Sequence, residues 1–187
     1  MFKKAVWVFQ AVFIFKKGGK CALFTKPHIQ LSSATEITVE LLNEMGINCL
    51  ILDVDNTLCL KKGEIILDGV FEWLKKMQDA GIKLIILSNA KPKRMEGIAK
   101  KFGLPFVGTG GKPLPFGYKR AAKRMGAKTK TCAIVGDQLL TDILGGNLSG
   151  CKTILVCPKE LETSFGFKIK RGIERKLLKK YKLRCDF

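Results

Sequence analysis

The feature that most constrains this chain is a repeated join: a short apolar run closed by a polar residue, then a stretch of helical periodicity. Residues 49–52 (CLIL) end at Asp53, 84–87 (LIIL) at Ser88, 132–135 (CAIV) at Gly136 and Asp137, and 153–157 (TILVC) at Pro158. A weaker run lies near 105–107. Each is too short for a core helix and apolar on consecutive positions, the pattern of a strand covered on both faces. Amphipathic stretches near 35–45, 68–80, 92–102, 115–125 and 139–148 lie between them. Gly46, Gly81, Gly103, Gly126 and Gly150 stand where helices end in a left-handed residue. The alternation predicts an α/β fold, a three-layer Rossmann-like parallel sheet with helices on both faces. Ligands of such sheets gather beyond the carboxyl ends of the strands, and Asp53, Ser88 and Asp137 stand there.

Asp53-Val54-Asp55-Asn56-Thr57 follows the first run. Side chains two apart in extended chain point the same way, and a turn just past the strand also brings both carboxylates to one site. Like charges that close raise one pKa unless a cation neutralises them. Oxygen ligands suit a hard cation such as Mg²⁺. Alone, the pair also fits an ordinary turn or helix cap. The stretch Gly136-Asp137-Gln138-Leu139-Leu140-Thr141-Asp142 repeats the theme. Asp137 can add a metal oxygen, or cap the next helix. Asp142 can orient a ligand or a water on the metal. Ser88 and Asn89 can offer a hydroxyl and backbone N–H groups to a phosphoryl oxygen, or cap the helix that Pro92 begins. Lys112 follows a glycine-rich stretch, 108–111, where its ammonium can neutralise a phosphate and an attacking carboxylate. No Walker phosphate loop is present in the sequence.

Charge enters at the two ends. The 187 residues hold 34 Lys and Arg against 16 Asp and Glu, a net +18, with 47% hydrophobic residues. That argues against disorder and for a polyanionic partner. An anionic phospholipid or membrane surface is favoured over nucleic acid, because no RNA-binding motif with interleaved aromatics occurs. Residues 5–15 (AVWVFQAVFIF) are apolar but for Gln10 and are flanked by lysines. The run is shorter than the roughly 20 residues that span a bilayer, so it is expected to lie in a membrane interface or to pack on the core. Nine of residues 168–184 are Lys or Arg, with Glu174 the only acid. Ile169, Ile173, Leu177 and Leu178 fall at helical spacing there, which predicts a basic amphipathic helix. Its charged face is either solvated or in contact with membrane or nucleic acid. Seven cysteines without a C-x-x-C pair, and the single His28, argue against zinc and against a disulfide framework. They favour a reducing, cytoplasmic setting, with peripheral membrane contact as a candidate. The expected layout is an extension at 1–34, a catalytic domain at 35–165 and a basic helix at 166–187.

The four motif segments, in this order and at strand ends, resemble the haloacid-dehalogenase-like phosphatase superfamily. LDVDNTL and GDQLLTDILGGN are similar to its subclass IIIA, YqeG-like branch, which is related to phosphatidylglycerophosphate phosphatases. The resemblance covers about residues 35–160. It implies that Asp53 is a nucleophile forming an aspartyl-phosphate and that Asp55 is the acid and base. It implies that Ser88, Asn89 and Lys112 bind phosphate. It also implies that Asp53, Asp137 and the Asp55 backbone carbonyl hold Mg²⁺, with Asp142 supporting the metal shell. Neither 58–67 nor 89–111 is long enough for a substantial cap domain, so an open site is expected. An open site suits a large substrate, and phosphatidylglycerophosphate is the leading expectation. A phosphatase for nucleic-acid ends or phosphoproteins, or a non-catalytic scaffold on ribosome or membrane, are the competitors.

Overall fold

The computed structural model describes residues 24–160, 165–183 and 185. The apolar run at 5–15 lies outside them. The elements run β1 (Ile29–Leu31), α1 (Val39–Glu44), β2 (Cys49–Leu52), β3 (Cys59–Leu60), β4 (Ile65–Ile66), α2 (Val70–Asp79), β5 (Lys83–Leu87) and α3 (Pro92–Phe102). Next come β6 (Phe106–Val107), α4 (Pro115–Arg124), β7 (Cys132–Gly136), a π-turn (Leu139–Ile143), α5 (Leu144–Leu148), β8 (Lys152–Val156) and α6 (Phe165–Tyr181). Six strands form one sheet in the order β1-β8-β7-β2-β5-β6. All five pairings are parallel.

The alternation of side chains along each strand divides the core. Leu50, Leu52, Leu84, Ile86, Ala133 and Val135 pack on one face with α2 and α3. Cys49, Ile51, Ile85, Leu87 and Ile134 pack on the other, against Tyr118, Ala121 and Ala122 of α4. Strands buried on both faces carry no polar alternation, which is why four of them read as unbroken apolar runs. The architecture is the three-layer α/β sheet expected from the sequence. β3 and β4 form only a two-stranded hairpin between β2 and α2. No substantial cap lies over the strand ends among the described residues.

Three features differ from the sequence reading. Residues 29–31, within the stretch set apart as an extension, form the edge strand β1 beside β8. This run is half-buried throughout and too short for a periodic signal. The helix expected at 139–148 is split, its first half a wide π-turn. Finally, the cysteines are not all free. Cys157, just past β8, is bonded to Cys185 beyond α6, with Cα atoms 5.3 Å apart. This corrects the expectation of unpaired thiols and removes that support for a reducing compartment. The spacing of 28 residues carries no signal, because only the docking of α6 returns the chain to β8. Cys49, Cys59, Cys132 and Cys151 are free and buried.

Candidate active site

β2 and β7 are hydrogen-bonded neighbours, so the residues that leave them emerge side by side. Leu52 pairs with Val135, and the Asp53 N–H continues the ladder to the Val135 carbonyl at 2.9 Å. The chain then turns sharply: the N–H groups of Thr57, Leu58 and Cys59 all donate to the Val54 carbonyl. Asn56 sits at the bend with φ 64°, a left-handed conformation that asparagine tolerates better than most residues. Its side-chain oxygen accepts from Glu160 N–H at 2.8 Å, which closes the turn against the β8 exit.

On the β7 side, Asp137 follows Gly136 directly. The π-turn then swings Asp142 back toward the strand. The Asp142 and Ile143 N–H groups both reach the Gln138 carbonyl, and Asp142 Oδ2 accepts from Gln138 N–H at 3.2 Å. A Cβ on Gly136 would lie 2.4 Å from Asp142 Cγ, so the carboxylate can pack there only over a glycine. Wide turns of this kind recur at functional sites because they re-aim one side chain.

Lys112 arrives from the loop after β6. Asn89 fixes that loop at two points: its Nδ2 donates to the Lys112 carbonyl at 3.0 Å, and its Oδ1 accepts from Lys112 N–H at 2.8 Å. Gly110 N–H donates to the Ser88 carbonyl at 2.8 Å. Gly117 in α4 passes so close that a Cβ would lie 2.0 Å from the Gly110 carbonyl oxygen. The buried Lys112 ammonium then donates to Asp53 Oδ1 and, at 2.7 Å, to Asp142 Oδ1.

One oxygen from each of Asp53, Asp137 and Asp142 lies within 4.8 Å of the others, and all three residues are buried. Burial pushes the Asp53 carboxyl well above the ordinary carboxylate range; Lys112 opposes this, and Asp142 and Asp137 reinforce it. Burial likewise raises Asp137, against the pull of Arg171, to about 6. Burial works against the Lys112 charge, yet Asp142 and Asp53 hold that ammonium above its usual range. The Asp137 Oδ1 atom is buried without a hydrogen-bond partner among the described residues. An orphaned carboxylate oxygen in a dry cluster of acids is what a hard cation would satisfy. Among the described residues, Asp53, Asp137, Asp142 and Glu174 form ion pairs with Lys112 and Arg171. With every group ionised, these four acids and two bases carry a net charge of two negatives, which a divalent ion would balance. The residues present therefore fit such a metal.

The remaining candidates fall into two groups. Asp55 is not in the carboxylate cluster; its side chain, about one-third exposed, is held by Arg94 from α3 through both oxygens, one bond being 3.0 Å. Ser88 is buried at the end of β5, where its Oγ accepts from Ala90 N–H at 3.1 Å. That leaves its hydroxyl proton for another acceptor. Asn89 touches the lysine loop, as described, so it holds Lys112 in place. Three neighbours were missed from sequence. Arg94 lay inside a helix with no motif. Arg171 and Glu174 lay in a helix read as a solvated or docking face, yet both are buried, and Arg171 pairs with Asp137. A lone acid three residues after an arginine in an otherwise basic helix was the available signal.

Residues 40–150 match the family model of the haloacid dehalogenase-like hydrolases. The curated relative "Probable phosphatase YqeG" of Bacillus subtilis (strain 168) is 36% identical over 155 residues, spanning 83% of this chain and 90% of the relative. Among solved structures, 4-nitrophenylphosphatase from Thermotoga maritima superposes with a TM-score of 0.55 at 15% identity, covering 70% of this chain and 91% of that one. NagD from E. coli K-12 superposes with a TM-score of 0.50 at 17% identity, over 59% and 87%. These two share the fold. With the profile match, the close relative and the strand-end carboxylates in agreement, the chain belongs to the haloacid dehalogenase-like hydrolase family.

Proposed function

We propose that this phosphatase is Mg²⁺-dependent, works through an aspartyl-phosphate on Asp53, and takes phosphatidylglycerophosphate as its substrate. The observation that carries the reading is the buried cluster of Asp53, Asp137 and Asp142 around the Lys112 ammonium, set at the strand ends of a sheet that bears no cap domain among the described residues.

Asp53 attacks phosphorus while the bond to the leaving alcohol breaks, and the phosphoryl group passes to the carboxylate. Asp55, on the solvent side, donates a proton to the departing oxygen. It then takes one from the water that cleaves the acyl-phosphate. Lys112 and the Ser88 hydroxyl hold the phosphoryl oxygens, which lowers the repulsion between phosphate and nucleophile. Asp53, Asp137 and the Asp55 carbonyl would hold Mg²⁺, with Asp142 beside them. When bound, the ion supplies charge neutralisation for the transferring group.

Two observations favour an amphiphilic substrate. Among the described residues, the segment between β2 and α2 holds only the short hairpin of β3 and β4, with no cap domain over the strand ends. Just past Lys112, Leu114 is 39% exposed and Phe116 is 74% exposed, apolar side chains beside the phosphate-binding lysine. No helix among the described residues is long and apolar enough to cross a membrane. Contact with a bilayer would therefore be made through such side chains and the basic surface.

The test is phosphate release from vesicles containing phosphatidylglycerophosphate, with and without Mg²⁺, for the wild type and Asp53→Asn. Mg²⁺-dependent release that the substitution abolishes is the expected result. Cleavage of a generic phosphate ester without release from the vesicles would sink the lipid substrate and keep the chemistry.

A further inference from the structure

The C-terminal helix α6 lies outside the segment that matches the family model, yet it touches the metal-ligand segment almost residue by residue. Arg171 donates to Asp137 Oδ2, and its NH1 donates to the Asp137 carbonyl at 3.1 Å. Lys170 Nζ donates to Gln138 Oε1 and lies 3.4 Å from Thr141 Oγ1. Glu174 Oε1 accepts from Leu140 N–H at 3.1 Å, while its Oε2 accepts from Arg171 NH1 at 3.0 Å. Between these polar contacts, Leu139, Leu140 and Ile143 pack on Leu177 and Leu178 of α6. Arg171 and Glu174 are 5% and 1% exposed.

We infer that Arg171, anchored by Glu174, is a positioning residue for the metal: it holds Asp137 by both side chain and main chain, so that the free Oδ1 is presented to the ion. This rests on the reading of Asp137 as a metal ligand. Two effects of Arg171 oppose one another. Its positive charge beside the site repels a cation. Its hydrogen bonds fix the carboxylate, and metal ligands tolerate only about ±0.2 Å of misplacement. Outer partners of this kind typically cost about 10–100-fold in metal affinity or activity when removed. The doubly bonded, buried geometry makes positioning the larger effect. The same contacts explain why a helix rich in lysine and arginine buries two of its cations and its only acid.

The test is the dissociation constant for Mn²⁺, read from the free-ion electron paramagnetic resonance signal on the full chain without substrate. Arg171→Met removes the charge and keeps an apolar stem. It is expected to weaken Mn²⁺ binding by about 10–100-fold, although charge alone would tighten it. Arg171→Lys is expected to fall between, because it keeps the charge and loses the fork. An exposed control on the same helix, Lys179→Ala, should leave the constant unchanged. If Arg171→Met fails to fold, Glu174→Gln leaves Asp137 and Arg171 in place while loosening the anchor, and a smaller weakening is expected. Unchanged or tighter binding in the folded variants overturns the inference. A wild type that binds neither Mn²⁺ nor Mg²⁺ overturns the metal reading itself, and the inference with it.

Discussion

Two arginine–carboxylate pairs stand near Asp53, the proposed nucleophile, and they differ in exposure. Asp137 and Arg171 are buried to 0% and 6% side-chain exposure, and Glu174 closes the far side of the guanidinium. Asp55 and Arg94 stand at 32% and 30%. The same two functional groups meet in both. Without solvent, a pair is an immobile part of the site, since loss of either partner leaves an unmatched charge in a dry place. With solvent at hand, a pair can open and re-form, because water takes up what the partner releases. That suits the expected roles: Asp137 must stay still for a cation, whereas Asp55 must exchange protons with an alcohol and a water.

The largest expected effect lies between the two pairs. Asp53→Asn should lower turnover of any accepted phosphate ester by about 10⁴-fold or more, measured as phosphate release. Asp55→Asn should lower it by about 10²–10⁴-fold, with more loss for a poor leaving alcohol than for nitrophenolate. If both esters lose equally, the solvent-side pair is not where the proton moves. For stability, Arg171→Ala should cost about 3–5 kcal/mol. At about 2–4 °C per kcal/mol for a chain of this size, the loss in Tm is about 6–20 °C by calorimetry. Mg²⁺ at about a hundred times its dissociation constant should raise stability by about 2.7 kcal/mol, and a chelator should reverse it. Asp137→Asn should cancel most of that gain. The smallest effect is expected from Arg94→Ala, below about 1 kcal/mol in denaturant titration. A loss matching that of Arg171→Ala would break the comparison, since exposure would then not be what separates the pairs.

Much of the fold was legible before any coordinates. Runs such as CLIL and CAIV can only be strands covered on both faces, and the acids that close them mark the functional edge of the sheet. Asp53 and Asp137 were named for that reason, Lys112 because it follows the glycine-rich stretch 108–111, and the structure brings the three together. The bend at Asn56 and the split helix at 139–143 were less legible. A turn that re-aims one side chain leaves the hydrophobic period almost intact. β1 was hidden because three half-buried residues carry no period at all.

The sequence by itself determined which edge of the sheet gathers the candidate site residues, because strand burial and strand-end polarity are local properties of the chain. Only the tertiary structure decided what surrounds them. Arg94 against Asp55, Arg171 against Asp137, Glu174 against the Leu140 N–H and the Cys157–Cys185 bond all join parts of the chain distant in sequence. A basic helix reads the same whether its arginines face water or a buried carboxylate. What separates the two is the docking of Leu177 and Leu178 onto Leu139, Leu140 and Ile143. That contact removes solvent from one side of the helix and leaves Asp137 as the charge its arginine must meet.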